Sequence, residues 1–179
     1  MKANTAVIVL LCLVFIFGGP VLAQDVQPSQ AVKQWEPLVG HWVNDEQLRE
    51  TPDGSWQKAA SEWDVKMMPG GFFVETPGKL RFADGREVSW VQVWGYDPVN
   101  EAAFQHWFAS DGVHGEGFFR FSGTTQNSGG SETLADGSQQ TIRCEWIYSS
   151  DYKSSEGSCE RLTDGKWWTF RKVKGKNAK

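Results

Sequence analysis

The sequence predicts an all-β fold, an antiparallel up-and-down β-barrel of about nine or ten strands with a short N-terminal helix. Three observations predict it. Apolar residues recur with a two-residue rather than a helical period along most of the chain. Turn signals of the Asp-Gly and Pro-Gly-Gly kind punctuate it at hairpin spacing. Several strands carry large apolar groups on both faces, which favours closure over a sheet with long apolar edges. A two-sheet sandwich is the alternative arrangement of the same pattern.

The chain has 179 residues. It opens with Met1-Lys2, an apolar run over 6–17, then Gly18-Gly19-Pro20 and Val21-Leu22-Ala23. This is the pattern of a secretory signal peptide with cleavage after Ala23. The run is shorter than the roughly 20 residues a membrane-spanning helix needs, so no stable membrane anchor is expected once the leader is removed. Cys12 lies inside the run without the small residue that precedes a lipid-modified cysteine. The expected organisation is a signal peptide over 1–23, a linker and short helix over 24–34, one barrel domain over 35–173 and a basic tail over 174–179. What remains after cleavage is one ordinary domain, periplasmic or secreted. The formal charge of −4 disfavours a nucleic-acid partner. The cluster of Arg171, Lys172, Lys174, Lys176 and Lys179 reads as a solvated tail.

The elements follow in order. A helix is expected over 30–36, capped by Ser29 and stopped by Pro37. Ser61, Trp63, Val65 and Met67 alternate with Glu62, Asp64 and Lys66 as a half-buried strand that breaks at Pro69-Gly70-Gly71. Leu80 and Phe82 alternate with Lys79 and Arg81 before Asp84-Gly85. The segment 88–96 (VSWVQVWGY) has the composition of a central strand and stops at Asp97-Pro98. Strands over 102–109 and 113–121 flank Ser110-Asp111-Gly112. A Gly/Ser/Thr/Asn loop is expected over 122–131, and further strands over 140–149, 154–162 and 166–173.

Cys144 and Cys159 are the cysteines that survive cleavage, and a turn across 149–154 sets them directly opposite each other, so they are expected to form a disulfide in an oxidising compartment. Two unpaired buried thiols are the other reading. No metal is expected at the pair, because no Cys-x-x-Cys and no clustered histidine accompanies it.

Gly40-His41-Trp42 after the candidate helix, Met68-Pro69-Gly70-Gly71-Phe72-Phe73, and Gly95-Tyr96-Asp97-Pro98 in mid-chain, with the order of strands around them, resemble an uncharacterised bacterial lipocalin-like family (calycin-type β-barrels) over roughly 35–172. The resemblance implies a barrel whose closed end is plugged by Trp42, with Arg171 of the last strand packed over it as a cation–π partner. The sequence departs from lipocalins in lacking a clear Thr-Asp-Tyr element. The family has no established activity, so the resemblance implies a shape and little chemistry.

No nucleophile elbow, phosphate loop, dinucleotide fingerprint or zinc-protease motif appears, and no cofactor is expected. The chemically dense region is 104–120, with His106, His114, Glu116 and Arg120. If Ser110-Asp111-Gly112 is a three-residue loop, Phe108 meets His114, His106 meets Glu116 and Phe104 meets Phe118, and these polar groups share one face; a two-residue loop disperses them. If that face looks inward, His106, His114 and Glu116 join Trp63, Trp90, Trp94 and Phe104 in an aromatic pocket with polar anchors for a small apolar or aromatic molecule. If it looks outward, the histidines are solvated and Phe119 and Phe121 line the core. His41 reads as a barrel-end surface residue. One of the neighbours Trp167 and Trp168 must face inward. The first function is ligand binding inside the barrel. The alternatives are a solid-core envelope interaction protein, or a metal, haem or enzymatic site on His106, His114 and Glu116.

Overall fold

The period-two segments become ten antiparallel strands, each hydrogen-bonded to its sequence neighbours and the first to the last, so that the sheet closes as a barrel. The structure, a computed structural model, describes residues 30–178; the expected signal peptide and most of the linker lie outside the described residues. The strands are β1 Gly40–Leu48, β2 Gln57–Met67, β3 Val74–Phe82, β4 Glu87–Asp97, β5 Ala102–Ala109, β6 His114–Ser122, β7 Thr125–Thr133, β8 Gln139–Tyr148, β9 Ser154–Thr163 and β10 Lys166–Asn177. Closure removes the sandwich alternative, because β1 finds its second partner in β10 across seven residue pairs from Trp42↔Asn177 to Leu48↔Arg171.

Turn chemistry sets the registers. Asp164 and Gly165 both adopt positive φ, 50° and 73°, as a two-residue turn matched to the strand twist requires, and Thr163 pairs with Lys166 across them. Between β5 and β6 the loop is three residues long, with Phe108 opposite His114 and His106 opposite Glu116. Cys144 stands opposite Cys159, and the two are joined by a disulfide with a Cα–Cα distance of 4.1 Å. This bond indicates an oxidising compartment. Among the described residues no helix is long and apolar enough to cross a membrane.

Three elements depart from the expectation. The stretch expected as a loop over 122–131 supplies β7, paired along its length with β6 and β8. Its glycines lower strand propensity but allow close approach: a Cβ on Gly130 would stand 2.1 Å from the Glu116 carbonyl oxygen. Pairing on both sides therefore overrides composition. The basic tail is not a tail, since β10 runs through Lys174 and Lys176 to Asn177, with the lysines outward and Val173 and Gly175 inward. The helix is shorter than expected: α1 covers Gln30–Lys33, and Pro37 lies in a separate 3-10 turn, Glu36–Leu38, at whose start a missing N–H costs nothing.

The interior has three levels. At the floor, Trp35 and Leu38 of the N-terminal segment cap a packed layer of Trp42, Trp63, Val65, Val74, Trp94, Phe119 and Tyr148. Trp42 is fully buried, donates Nε1–H to the Leu38 carbonyl at 2.9 Å, and stacks on Trp63 with ring centroids 6.0 Å apart. Above the floor runs a polar belt of Asn44, Glu46, Ser61, Thr76, Gln92, Gln105 and Arg171. The far end, where α1 does not reach, is the mouth. Inward positions there are Leu80, Trp90, Trp107, Glu132, Gln140, Ile142, Arg161 and Trp168, placed by their registers with one another and with the belt.

Candidate functional site

The strands that plug the floor also carry the belt. Period two along β1 sends Trp42, Asn44 and Glu46 inward in succession. Glu46, with a side chain 0% exposed, accepts both Nε–H and Nη2–H of Arg171 at 2.7 Å each and a further hydrogen bond from the Ser61 hydroxyl. Asn44 Nδ2 donates to Ser61 Oγ at 2.8 Å. Burial works against the Arg171 charge, but the charge and hydrogen bonds of Glu46, with Glu132 further off, outweigh it and hold the guanidinium above its ordinary pKa. Arg171 faces inward beside Phe170 because the register slips between Thr169 and Arg171, a bulge that leaves Phe170 without a partner on β9.

This corrects the implied role of Arg171. It stands opposite Leu48, six residues along β1 from Trp42 and so about 20 Å away at strand rise, and its partner is a carboxylate, not the plug tryptophan. Trp42 does occupy the closed end.

In the mouth, Arg161 of β9 reaches across β8 to β7, donating Nη2–H to Glu132 Oε1 at 3.0 Å, with its guanidinium 4.0 Å over the Phe170 ring. Trp90 and Trp107 lie against the wall rather than across the axis, because each covers a glycine of the neighbouring strand. A Cβ on Gly78 would stand 2.4 Å from the Trp90 ring, and one on Gly115 would stand 2.2 Å from the Trp107 ring. Both rings, and Trp168, remain half-buried, unlike Trp35, Trp42 and Trp94.

The expected pocket residues separate into two faces. Trp63, Trp90 and Trp94 point inward. Phe104, His106, His114 and Glu116 share one face as the three-residue loop requires, but it is the outer one, because their alternates Ala103, Gln105, Gly117 and Phe119 are the buried positions. The convergence of these four with the three tryptophans is therefore corrected. Each strand turns one whole face inward, and the choice that buries Phe119 and points Trp107 inward sends Phe104, Phe108 and Phe118 outside. His106 Nδ1 lies 3.7 Å from Glu116 Oε2, with the two side chains 45% and 70% exposed. Among the described residues no group of three or more His, Cys, Asp or Glu is placed to hold a metal. His41 is exposed, with Nδ1 2.8 Å from Asp64 Oδ1; hydrogen bonds from Lys66 and then His41 hold the Asp64 carboxyl below its ordinary pKa. Trp167 faces outward beneath Arg143, whose guanidinium is 4.2 Å from the ring, and Trp168 faces inward. A groove of about 630 Å³ runs along the outer wall of β2, β1, β10, β9 and β8, where Asp45, Lys58, Glu145, Glu156, Lys172 and Lys174 balance one another's charge.

Glu46, Trp107, Glu132, Gln140 and Arg161 were not singled out from the sequence. Glu46 was legible, since any residue four along a strand from an inward Trp42 is also inward. Trp107 was legible as the residue between His106 and Phe108, on the opposite face to both. The convergence of Glu132, Gln140 and Arg161 required the register of β7, hidden by its glycines and serines.

A family model described as "Protein of unknown function (DUF1579)" matches residues 27–170. The chain belongs to the DUF1579 family. Among solved structures, the DUF1579 barrel is similar to the crystal structure of Rv2717c from M. tuberculosis, with a TM-score of 0.62 and 16% identity over 86% of this chain and 100% of that one. At that identity the likeness shows the fold alone. A barrel from the de novo design of a fluorescence-activating β-barrel matches with a TM-score of 0.43 and 14% identity over 82% of this chain and 97% of that one, too distant to inform the site. No curated protein matches the chain.

Proposed function

We propose that this DUF1579 protein is an exported, lipocalin-like carrier that binds a small apolar or aromatic ligand in the mouth half of its barrel. The observation that carries the reading is the contrast between the two ends. The floor is sealed by fully buried Trp35 and Trp42, whereas the mouth presents half-buried, inward Trp90, Trp107 and Trp168. Rigid aromatic walls with a few polar anchors suit a ring-bearing molecule. Export fits the leader-like 1–23 segment and the disulfide.

The test is a titration of the mature protein with naphthalene, followed by tryptophan fluorescence. Saturable quenching, weakened at least tenfold by Trp107→Ala, is the expected result. Absence of saturable quenching up to the solubility limit of naphthalene overturns the reading.

A second reading, an envelope interaction protein, draws on Phe73, Phe108 and Phe118, which are exposed on the outer side of the wall. It predicts concentration-dependent association in sedimentation that Phe108→Ser with Phe118→Ser abolishes; a monomer at all concentrations removes self-association as its form.

A further inference from the structure

Among the described residues, buried polar atoms without a hydrogen-bond partner occur at the floor, on Trp35 and Trp94, and on Asn44 and Asn177, and two more lie in the mouth, where solvent or a ligand can reach the neighbouring surface. Arg161 Nε and Gln140 Oε1 are both buried and both without a hydrogen-bond partner. They belong to one patch of inner wall. Glu132, which takes the Nη2–H of Arg161, is the register partner of Gln140, and Arg161 is the register partner of Ile142, two residues along β8 from Gln140. Phe170 covers one face of the guanidinium, and Trp168 stands opposite Arg161 on β10. The patch thus pairs one unused donor with one unused acceptor beside aromatic surface.

We infer that the ligand carries a neutral head group that accepts a hydrogen bond from Arg161 Nε–H and donates one to Gln140 Oε1, a hydroxyl or a lactam on an aromatic ring; this rests on the reading of the mouth as a ligand site. A wholly apolar ligand leaves both atoms buried and unpaired, which is costly. At the patch itself Glu132 already matches the Arg161 charge, so an anionic head group gains little there. Arg49, whose guanidinium lies 5.6 Å over the Trp168 ring and donates to the Thr169 and Pro52 carbonyls, is the rim cation that would favour an anion instead, and binding of 2-naphthoate tests it. A cationic head group would face the Arg161 guanidinium directly. A neutral group with both a donor and an acceptor satisfies the patch without disturbing the Glu132–Arg161 pair.

The experiment is isothermal titration calorimetry of the mature protein with naphthalene, 2-naphthol and 2-naphthoate, repeated on Gln140→Leu and Arg161→Lys, with folding of each variant checked by thermal melting. The expected result is 2-naphthol binding about tenfold or more tighter than naphthalene, with that advantage lost in both variants and naphthalene bound by Gln140→Leu at least as tightly as by the wild type. If Arg161→Lys does not fold, Gln140→Leu carries the comparison alone. Equal affinity for naphthalene and 2-naphthol, an advantage that survives in the variants, or tightest binding of 2-naphthoate each overturns the head-group inference while leaving the mouth as the site. Binding of none of the three overturns the ligand-site reading itself.

Discussion

The two ends of this barrel are built from the same residue types and differ in what surrounds them. At the floor, Trp35, Trp42, Trp94 and Phe119 form one packed layer, with tilted contacts at centroid distances of 5.3 Å for Trp35–Phe119 and 5.6 Å for Trp94–Phe119. At the mouth, Trp90 and Trp107 each lie on a glycine of the next strand and remain half-buried. Aromatic content alone thus says little about ligand binding. An indole stacked on other indoles stabilises the fold, while an indole laid on a glycine lines a wall. Between the two ends, the Glu46–Arg171 pair occupies the point where the packed interior stops.

The comparison predicts that floor substitutions cost stability and mouth substitutions cost binding. The largest effect is expected from Trp42→Ala, which removes a fully buried ring and its hydrogen bond to Leu38 and should lower unfolding free energy by about 3–5 kcal/mol in urea titrations. Trp107→Ala, by contrast, should cost about 1–2 kcal/mol, since its ring is half-buried. Equal losses would erase the distinction between the ends.

Next in size is the belt. Arg171→Leu strands a buried carboxylate and should cost about 3–5 kcal/mol, whereas Glu46→Leu combined with Arg171→Leu should recover most of that loss. Failure of the double variant to recover would mean that the pair is needed for more than mutual neutralisation. Replacing both Cys144 and Cys159 by Ala opens a loop with a sequence separation of 15 and should cost about 3 kcal/mol by the same measure.

The smallest effect concerns the outer wall. Asp64 has its carboxyl pKa lowered in the folded state, so its contribution is present above the ordinary value of 3.8 and is lost as pH falls through the depressed folded value. The urea midpoints of the wild type and Asp64→Asn should differ slightly at pH 6 and converge as the solution is acidified below 3.8. Because the pair with Lys66 is exposed, that difference should also shrink with salt.

Much of the fold was legible because a two-residue period, Asp-Gly turns and opposed cysteines are local signals. The three-residue loop at 110–112 and the Cys144–Cys159 pairing follow from counting residues across a turn. Which face looks inward is not a local property. Phe104, Phe108 and Phe118 are larger and more apolar than Ala103, Gln105 and Gly117, yet the latter are inside, because a strand turns one whole face inward and the same choice buries Phe119 and points Trp107 into the barrel. The mouth was hidden for two related reasons. Gln140, Glu132 and Arg161 converge only once β7 is recognised as a strand, and the bulge that turns Phe170 and Arg171 inward together has no sequence signature.

The most direct test labels all ten tryptophans with 5-fluorotryptophan, assigns the resonances by single replacements, and follows the ¹⁹F spectrum during titration with 2-naphthol. The account predicts that Trp90, Trp107 and Trp168 shift saturably and together while Trp35, Trp42 and Trp94 stay in place. Shifts confined to the floor tryptophans, or a spectrum that does not change, would contradict it.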